Sequence, residues 1–562
     1  MSKHYVIGLA ALLIVALVGI APMASSAGIA EATAELAQSA AAFDIEAIKA
    51  AAMQFAEDNS ALTIDIAQAL WNYAEIGLNE YKSYVLVRDV LKNAGFEVVQ
   101  SAAGVPTAIV AKWGSGEPVL GIYEDYDALP DVGHGCGHNL NTAAGIVAAI
   151  SIKKAMETYN IPGTIKLFIT PAEEVWDVAP LVAAAGYYAD VDVLISVHAS
   201  DVATSEYGST MAMDHVEYKF KGKAAHASAA PEQGISALDA VEIMNVAVNY
   251  LREHLIQEMR LHYVITDGGA APNIVPATAA SRWFIRGPQW PDVAYARERI
   301  DKCAQAAALA TGAELEIGFS SGIYNKIPNK TLAYAGLEIM KGITPPEYTA
   351  DDIAALAALG VEGVPSWEVV EPDGSQSFGS NPIGDVTWNT PTTSINIATW
   401  VPGTPGHSAA SALQSGTVYG FKGAIYGSKV LAALGLEMLL NPDALAAVKA
   451  EFEERMKGMP PYEGKAVIPE VAYPEAPGVI VSAAGSVELV CAETHFDESA
   501  GDEIIVSTED GNQLAKFVID AAAAAAGKIE FAIEGVSAGQ RLGITYVETD
   551  DDPWFYGWVH AK

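Results

Sequence analysis

Cysteines and basic residues are scarce in this chain of 562 residues. Its three cysteines, Cys136, Cys303 and Cys491, are too few for a disulfide framework, so we expect free and mostly buried thiols. Only 32 lysines and arginines stand against 69 aspartates and glutamates, which gives a formal net charge of -37. This balance argues against nucleic acid as a ligand and predicts a heavily hydrated acidic surface.

Long hydrophobic runs are also missing, except at the N-terminus. There Lys3 precedes an apolar run from Tyr5 to Ala21, and the small residues Ala24–Ala27 follow. This order predicts a signal peptide over 1–27 and therefore a secreted or cell-envelope protein. The run of about 17 residues could instead remain as a short membrane anchor, although a spanning helix usually needs roughly 20.

The length predicts more than one domain, and half of the residues are apolar, which suffices for buried cores. Short apolar runs alternate with helical patterns, which predicts an α/β domain over 43–215 and 330–448, with a long helix over Gly416–Leu439 near its end. Four of the runs are suited to buried strands: Ala108–Lys112, Val119–Tyr123, Ile165–Ile169 and Val193–Val197.

Residues 216–329 interrupt this domain with a different order of elements, namely strand, helix, strand, strand, helix and strand. A ferredoxin-like split βαβ fold has this order. After the first strand, which starts at Val216, the predicted elements are Ser236–Glu253, Leu261–Thr266, Ala277–Arg286, Val293–Leu309 and Ala313–Phe319.

A third region follows the proline-rich stretch Ile468–Pro477, which predicts a linker. Alternating runs predict a small β-sandwich-like domain over 468–562. Its aromatic residues Trp554, Phe555 and Trp558 would suit a carbohydrate- or surface-binding module, but aromatic residues at the end of a strand more often belong to a core. The runs are Val487–Ala492, Glu503–Val506, Lys528–Ile533 and Leu542–Val547.

The stretch Gly133–Asn139, Gly-His-Gly-Cys-Gly-His-Asn, carries the strongest chemical signal, because Cys136 and His138 are two residues apart among glycines. Thiolate, imidazole and carboxylate groups bind divalent metal ions, and an ion with an open coordination position lowers the pKa of a bound water. Each residue alone has an ordinary structural explanation. Together they predict a site for two metal ions, and the other candidate ligands are Glu174, His198 and His407.

Glu173 and Glu174 are adjacent in the stretch Thr170–Glu174. In such a pair one carboxylate can bind a metal ion while its neighbour takes a proton from the attacking water and passes it to the leaving amine. We assign Glu174 as the ligand and Glu173 as the base, an arrangement that suits a hydrolase.

These motifs resemble the dimetal amidohydrolase and peptidase family that includes aminoacylase, glutamate carboxypeptidase, auxin-conjugate hydrolases and aminobenzoyl-glutamate hydrolase, the last being the most similar. The resemblance covers roughly Phe43 to Leu440. Besides the metal and glutamate motifs, the stretches that carry it are Tyr126–Pro130, Ala224–Ala227, Ser236–Ala240, Asn249–His254, Thr266–Asn273 and Gly403–Ser408.

The resemblance implies a metallopeptidase-type catalytic domain, with the insertion as a lid through which two subunits form a homodimer. It implies that His226 of the lid reaches the partner's site and stabilises the oxyanion, and that Asn273 and Arg286 bind the substrate carboxylate. It also implies two divalent metal ions per subunit. Cys136 stands where more distant relatives bridge their metals with an aspartate, so ligand softness favours zinc while the habit of this subgroup favours manganese.

We therefore expect a secreted amidohydrolase that cleaves N-acyl or N-aroyl amino acids, or dipeptides, with a free carboxylate. A broad-range aminoacylase or dipeptidase is the nearest alternative, and an inactive surface-binding protein is an alternative of another class. Two departures from the family pattern bear on the substrate. Ser380–Asp385 differs at two polar positions from the family's Ser-Thr-Asp-Val-Gly-Asp, and Ala409 replaces an aromatic residue that often follows the last His-Ser.

Overall fold

The structure is a computed structural model, and it describes residues 44–105, 107–175, 178–372 and 374–464, together with seven strands between 479 and 560. The predicted signal peptide, 1–27, and the predicted linker, Ile468–Pro477, lie outside the described residues.

The helices and strands of residues 44–464 alternate along the chain. In chain order they are α1 (Ile45–Asp58), α2 (Ser60–Tyr73), α3 (Tyr81–Asn93), β1 (Glu97–Gln100), β2 (Ile109–Ser115), β3 (Val119–Asp125), α4 (His138–Tyr159), β4 (Gly163–Thr170), α5 (Ala179–Ala184), β5 (Val193–Ser200), β6 (Thr204–Ser205), β7 (Ala212–Lys221), α6 (Ala237–Leu251), β8 (Arg260–Asp267), β9 (Thr278–Gly287), α7 (Trp290–Thr311), β10 (Glu314–Ile323), α8 (Lys330–Gly342), α9 (Ala350–Ala358), α10 (Ile383–Thr387), β11 (Thr392–Ala398), α11 (Ala409–Ser415), α12 (Val418–Leu440) and α13 (Pro442–Arg455).

The α/β domain contains a seven-stranded sheet in the order β1-β2-β4-β3-β5-β11-β6. Its central strands β4, β3, β5 and β11 are parallel, while β1, β2 and β6 are antiparallel to their neighbours. The four predicted buried strands are present as β2 to β5. Residues of β3, β4 and β5 are almost continuously buried, as expected for parallel strands covered on both faces.

Two long buried helices, α4 and α12, belong to the same hydrophobic core as the central strands. Of the described helices, α12 alone is long and apolar enough to span a membrane, but most of it is buried inside the fold. Its apolar composition is therefore accounted for by the core that it helps to form. The glycine before α4 is essential, because Gly137 has φ of 81° and a Cβ there would lie 2.3 Å from the Cβ of Ala199.

The insertion has the predicted element order, and its sheet runs β10-β7-β9-β8. Helices α6 and α7 share one hydrophobic core with one face of this sheet, through residues such as Val216 and Trp283. The side chains between these core positions lie on the opposite, open face. We call this insertion the lid domain, although its roles in closure and dimer formation remain predictions.

The packed unit continues beyond the predicted boundary at Val448. Helix α13 extends to Arg455, and the Tyr462 hydroxyl then donates a hydrogen bond to Asp385 Oδ1 at 2.9 Å. The Tyr462 ring also lies 4.8 Å from that of Tyr324 at the end of the lid. The segment up to Tyr462 therefore packs against both the lid and the α/β domain.

The tail contains two antiparallel sheets, one of three strands and one of four. The four alternating runs predicted there all overlap observed strands, while the packing of the sheets into a sandwich remains a prediction. The strands are β12 (Val479–Ser482), β13 (Ser486–Val490), β14 (Glu503–Thr508), β15 (Gln513–Val518), β16 (Lys528–Ala532), β17 (Arg541–Val547) and β18 (Trp554–His560).

Candidate active site

The predicted metal ligands meet at the carboxyl edge of the parallel strands, where open α/β sheets generally place their sites. Glu173 and Glu174 follow β4, and His198 lies near the end of β5. His407 lies in the loop after β11, and its backbone N–H donates to the Gly135 carbonyl at 3.0 Å. This bond joins the late histidine to the glycine-rich loop that carries Cys136.

Two sets of three ligand atoms share Cys136. One set is Cys136, His138 and His198, and the other is Cys136, Glu174 and His407. A third set, His138, Glu173 and Glu174, lacks Cys136, and in all three the atoms lie within 4.8 Å of one another. The Cys136 Sγ atom is 3.4 Å from His198 Nε2, and His407 Nε2 is 3.7 Å from Glu174 Oε2. A thiolate that belongs to two of these sets is in position to bridge two ions.

The donor atoms fit divalent cations. The Glu174 side chain is only 4% exposed, and its Oε1 atom is buried without a hydrogen-bond donor among the described residues. An unsatisfied buried carboxylate oxygen is costly unless a cation compensates it. Thiolate and imidazole ligands together with this carboxylate form a set that zinc and related divalent metals accept.

Asp127 orients two of the site residues. The His138 Nδ1–H donates to Asp127 Oδ1 at 3.0 Å, which leaves the Nε2 lone pair of His138 for a metal ion. The backbone N–H of Glu174 donates to the other oxygen, Oδ2, also at 3.0 Å. Sequence reasoning assigned Asp127 no role, although it lies in the motif Tyr126–Pro130 directly after a buried strand.

A second buried carboxylate holds the turn that carries the two glutamates. Ala172 adopts a left-handed conformation with φ of 59°, and its backbone N–H donates to Glu80 Oε1 at 2.8 Å. The other oxygen of Glu80 accepts a hydrogen bond from Thr107 Oγ1 at 3.2 Å. No spacing pattern in the sequence indicated Glu80, because it precedes helix α3, far along the chain from this turn.

Burial dominates the electrostatics of the site. It raises the pKa of the Cys136 thiol to about 12, so a metal ion that binds here must displace the thiol proton. Burial also raises the pKa of Glu173 well above its usual range, against the lowering effect of His138, and the Asp125 and Glu174 carboxylates raise it further. A carboxylate with a raised pKa is suited to accept and hold a proton.

Arg286 of the lid is connected to Glu173, the predicted base, of the same chain through the neighbouring residues Ser380 and Asn381. Its Nη1 donates to Ser380 Oγ at 2.8 Å, and the next residue, Asn381, donates from Nδ2 to Glu173 Oε1 at 3.2 Å. The other oxygen of Glu173, Oε2, lies 4.0 Å from His138 Nε2. Asn381 was not a predicted site residue, although it is one of the two positions that depart from the family pattern.

His226 and Asn273 lie on two adjacent exposed loops of the lid, where the Ala227 N–H donates to the Asn273 carbonyl at 3.0 Å. The backbone N–H groups of Ser228 and Ala229 donate to His226 Nδ1, so a neutral His226 carries its proton on the outward Nε2. Within the described part of the chain, His226 belongs to none of the three ligand sets. The structure therefore does not bring these two predicted residues to the metal ligands of their own subunit.

The model of peptidase family M20/M25/M40 matches residues 121–545. The chain belongs to this family. One of the subunits of the p-aminobenzoyl-glutamate hydrolase of Escherichia coli is 30% identical over 440 residues, which cover 69% of this chain and 92% of that protein. Xaa-Arg dipeptidase of Mus musculus is 29% identical over 457 residues, which cover 76% of this chain and 97% of the dipeptidase.

The crystal structure of an aminobenzoyl-glutamate utilization protein from Klebsiella pneumoniae has the same fold. It aligns with a TM-score of 0.50 at 17% identity and covers 68% of this chain and 97% of its own. The predicted α/β metallopeptidase fold is thus confirmed. This M20/M25/M40 family member is a hydrolase that acts on amides with divalent metal cofactors, which rules against the inactive surface-binding protein.

Proposed function

We propose that this hydrolase cleaves the amide bond of N-acyl or N-aroyl amino acids, or of dipeptides, and uses two divalent ions per subunit. The observation that carries the proposal is the presence of Cys136 in two ligand sets, with Glu173 beside them. The names of the relatives, an aminobenzoyl-glutamate hydrolase and a dipeptidase, support this substrate class.

Cys136, His138 and His198 would hold one ion, and Cys136, Glu174 and His407 the other. When bound, such ions polarise the substrate carbonyl and lower the pKa of water. Glu173 takes the proton of the attacking water and delivers it to the leaving amine. The hydrogen bond from Asn381 to Oε1 holds this carboxylate so that Oε2 remains on the side of His138.

The lid residues bind and stabilise the substrate. Arg286, at the border of the site, pairs with the substrate carboxylate, and Asn273 assists from the loop of its own subunit or of the partner. His226 presents its Nε2–H to the oxyanion of the other subunit's site. Preorganised donors of this kind stabilise the charge that develops in the transition state.

Homodimer formation through the lid is supported by an exposed apolar surface. Val246 and Tyr250 on α6 are 54% and 75% exposed, and Ile243 lies on the same helical face. The sheet ends at the edge strand β8, where Val264 is 61% exposed and Ile265 is 46% exposed. An exposed edge strand beside an apolar helical face is suited to pair with a second copy.

We also propose that residues 1–27 are a signal peptide and that the protein is exported. The metal is zinc or manganese, since the thiolate favours zinc while carboxylate and imidazole ligands also accept manganese.

The decisive experiment is hydrolysis of a panel of N-acyl amino acids, aminobenzoyl-glutamate and dipeptides by the full chain after chelation and after return of zinc or manganese. We expect activity to disappear on chelation and to return with one of the metals at about two ions per chain. Activity that survives complete metal removal would refute the proposal. So would a metal-loaded protein that cleaves no amide of the panel.

A further inference from the structure

The open face of the lid sheet concentrates positive charge. Arg260 on β8 lies directly opposite Arg286 on β9, and His262 lies opposite Phe284 in the neighbouring row. Cross-strand partners share a face of the sheet, so the two arginine side chains lie on the same face. Such a pair is unexpected in a chain with 32 basic and 69 acidic residues.

The two arginines reach the same segment of the α/β domain. The Arg260 guanidinium lies 5.4 Å from the centre of the Phe378 ring, and Arg286 donates to Ser380. Asn381 follows directly and donates to the base, Glu173. The arginine pair therefore lies at the rim of the catalytic site.

Arg260 is held in place without a carboxylate. Its Nη1 donates to the carbonyls of Gln257 and Met259 at 2.8 and 2.9 Å, and within the described residues it forms no ion pair. Its side chain is exposed, so its charge faces the space between the lid and the segment that contains Phe378.

The positive charge of these arginines also shifts the pKa of a neighbouring histidine. The pKa of His262 is lowered, first by partial burial and then by the guanidinium groups of Arg286, Arg252 and Arg260. The protein as a whole repels anions at a net charge of -37. A substrate with two carboxylates therefore needs a local basic site to bind.

We propose that Arg260, next to Arg286, forms a subsite for a second carboxylate, so that the preferred substrates are amides of acidic amino acids such as N-acyl-glutamate. This inference rests on the proposed function. Arg286 binds the carboxylate next to the scissile amide, and Arg260 binds the carboxylate of the amino-acid side chain. The subsite opposes the selection of a cationic side chain, which the name of the Xaa-Arg dipeptidase indicates for that relative.

The test compares kcat/KM for N-acetyl-glutamate and N-acetyl-glutamine, which have nearly the same shape and differ in side-chain charge. With the full metal-loaded chain we expect a preference for glutamate of about 10-fold or more, as for a charge-assisted hydrogen bond. Arg260→Gln should remove most of this preference and leave the glutamine substrate nearly unaffected. Arg260→Glu should shift the preference towards N-acetyl-arginine.

Arg282→Gln is the matched control, because Arg282 lies on the same open face but pairs with Glu217 at 3.2 Å. We expect this variant to keep the preference for glutamate. Equal kcat/KM values for N-acetyl-glutamate and N-acetyl-glutamine in the wild type would overturn the subsite. So would an equal loss of kcat/KM for both substrates in Arg260→Gln. Neither result would affect the proposed hydrolase function. Failure to cleave any N-acyl amino acid would overturn the proposed function and the subsite with it.

Discussion

The Glu80 carboxylate, which precedes helix α3, accepts a hydrogen bond from the backbone N–H of Ala172, which precedes the catalytic glutamate pair, at 2.8 Å. Both residues are fully buried, and Ala172 has a left-handed backbone that alanine rarely adopts. The turn therefore depends on a carboxylate from a distant part of the chain to keep this conformation.

Glu80→Ala should lower kcat about 10- to 100-fold, because it frees the turn and misplaces the base. A buried N–H left without an acceptor should also cost about 1–3 kcal/mol of unfolding free energy. Glu80→Gln keeps an acceptor oxygen and should retain most of the activity. The checks are steady-state kinetics and thermal unfolding of both variants. A rise in KM at constant kcat would show that Glu80 does not position the base.

Glu173→Gln should keep the metal ions and lose several orders of magnitude in kcat, because an amide cannot accept the proton of the attacking water. Glu174→Gln should lose metal, since the Glu174 carboxylate, unlike that of Glu173, belongs to the set with Cys136 and His407 and has a buried oxygen without a donor among the described residues. Metal content per chain, measured alongside kcat, separates the two effects. Metal loss in the Glu173 variant would mean that the two roles are reversed.

A chain that ends near Lys465 should fold and hydrolyse amides, because it keeps Tyr462 and the contacts of Tyr462 with Asp385 and Tyr324. A chain that ends at Arg455 should be less stable, since it loses the hydrogen bond to Asp385 and the contact with Tyr324. The two truncated chains are compared by their thermal unfolding and by their hydrolytic activity. If the longer truncation is insoluble or inactive, the β-strand tail is integral to the catalytic unit.

Mixed dimers test whether His226 acts in the partner's site. Glu173→Gln and His226→Ala, each inactive alone, would form a mixed dimer with one doubly defective site and one intact site. A statistical mixture should recover about a quarter of normal activity, because about half of the dimers are mixed and half of their sites are intact. The masses of the dimers in the mixture verify that subunits have exchanged. No recovery after verified exchange would show that His226 acts in its own subunit or not at all.

The clustering of the candidate metal ligands could largely be predicted, because Cys136, His138 and Glu174 follow strands that the apolar runs indicated and His198 lies near the end of a third. His407 follows β11, which none of these runs indicated. Glu80, Asp127 and Asn381 could not be assigned in this way. Their roles depend on hydrogen bonds to backbone or carboxylate atoms that only the folded chain brings near. No sequence pattern indicated Arg260, because only the strand register places it opposite Arg286.

The domain boundaries also include a part that could be predicted from the sequence and a part that could not. The element order of the lid followed from alternating and helical patterns, which are local properties of the sequence. The extension to Tyr462 could not be predicted, because it depends on one hydroxyl meeting Asp385 and on an aromatic contact between distant parts of the chain.

The insertion of the lid has a consequence for the order in which the protein folds. Strand β5 pairs with β11, and the whole lid lies between them in the chain, so this pairing closes a long loop. The lid enters through β7 and leaves through β10, which are neighbours, with Met213 opposite Ile323. Once the lid has folded, its two ends are side by side and the remaining loop is shorter, which lowers the entropic cost of joining β5 to β11. Assembly of the metal ligands is therefore coupled to the folding of a domain that contributes none of them.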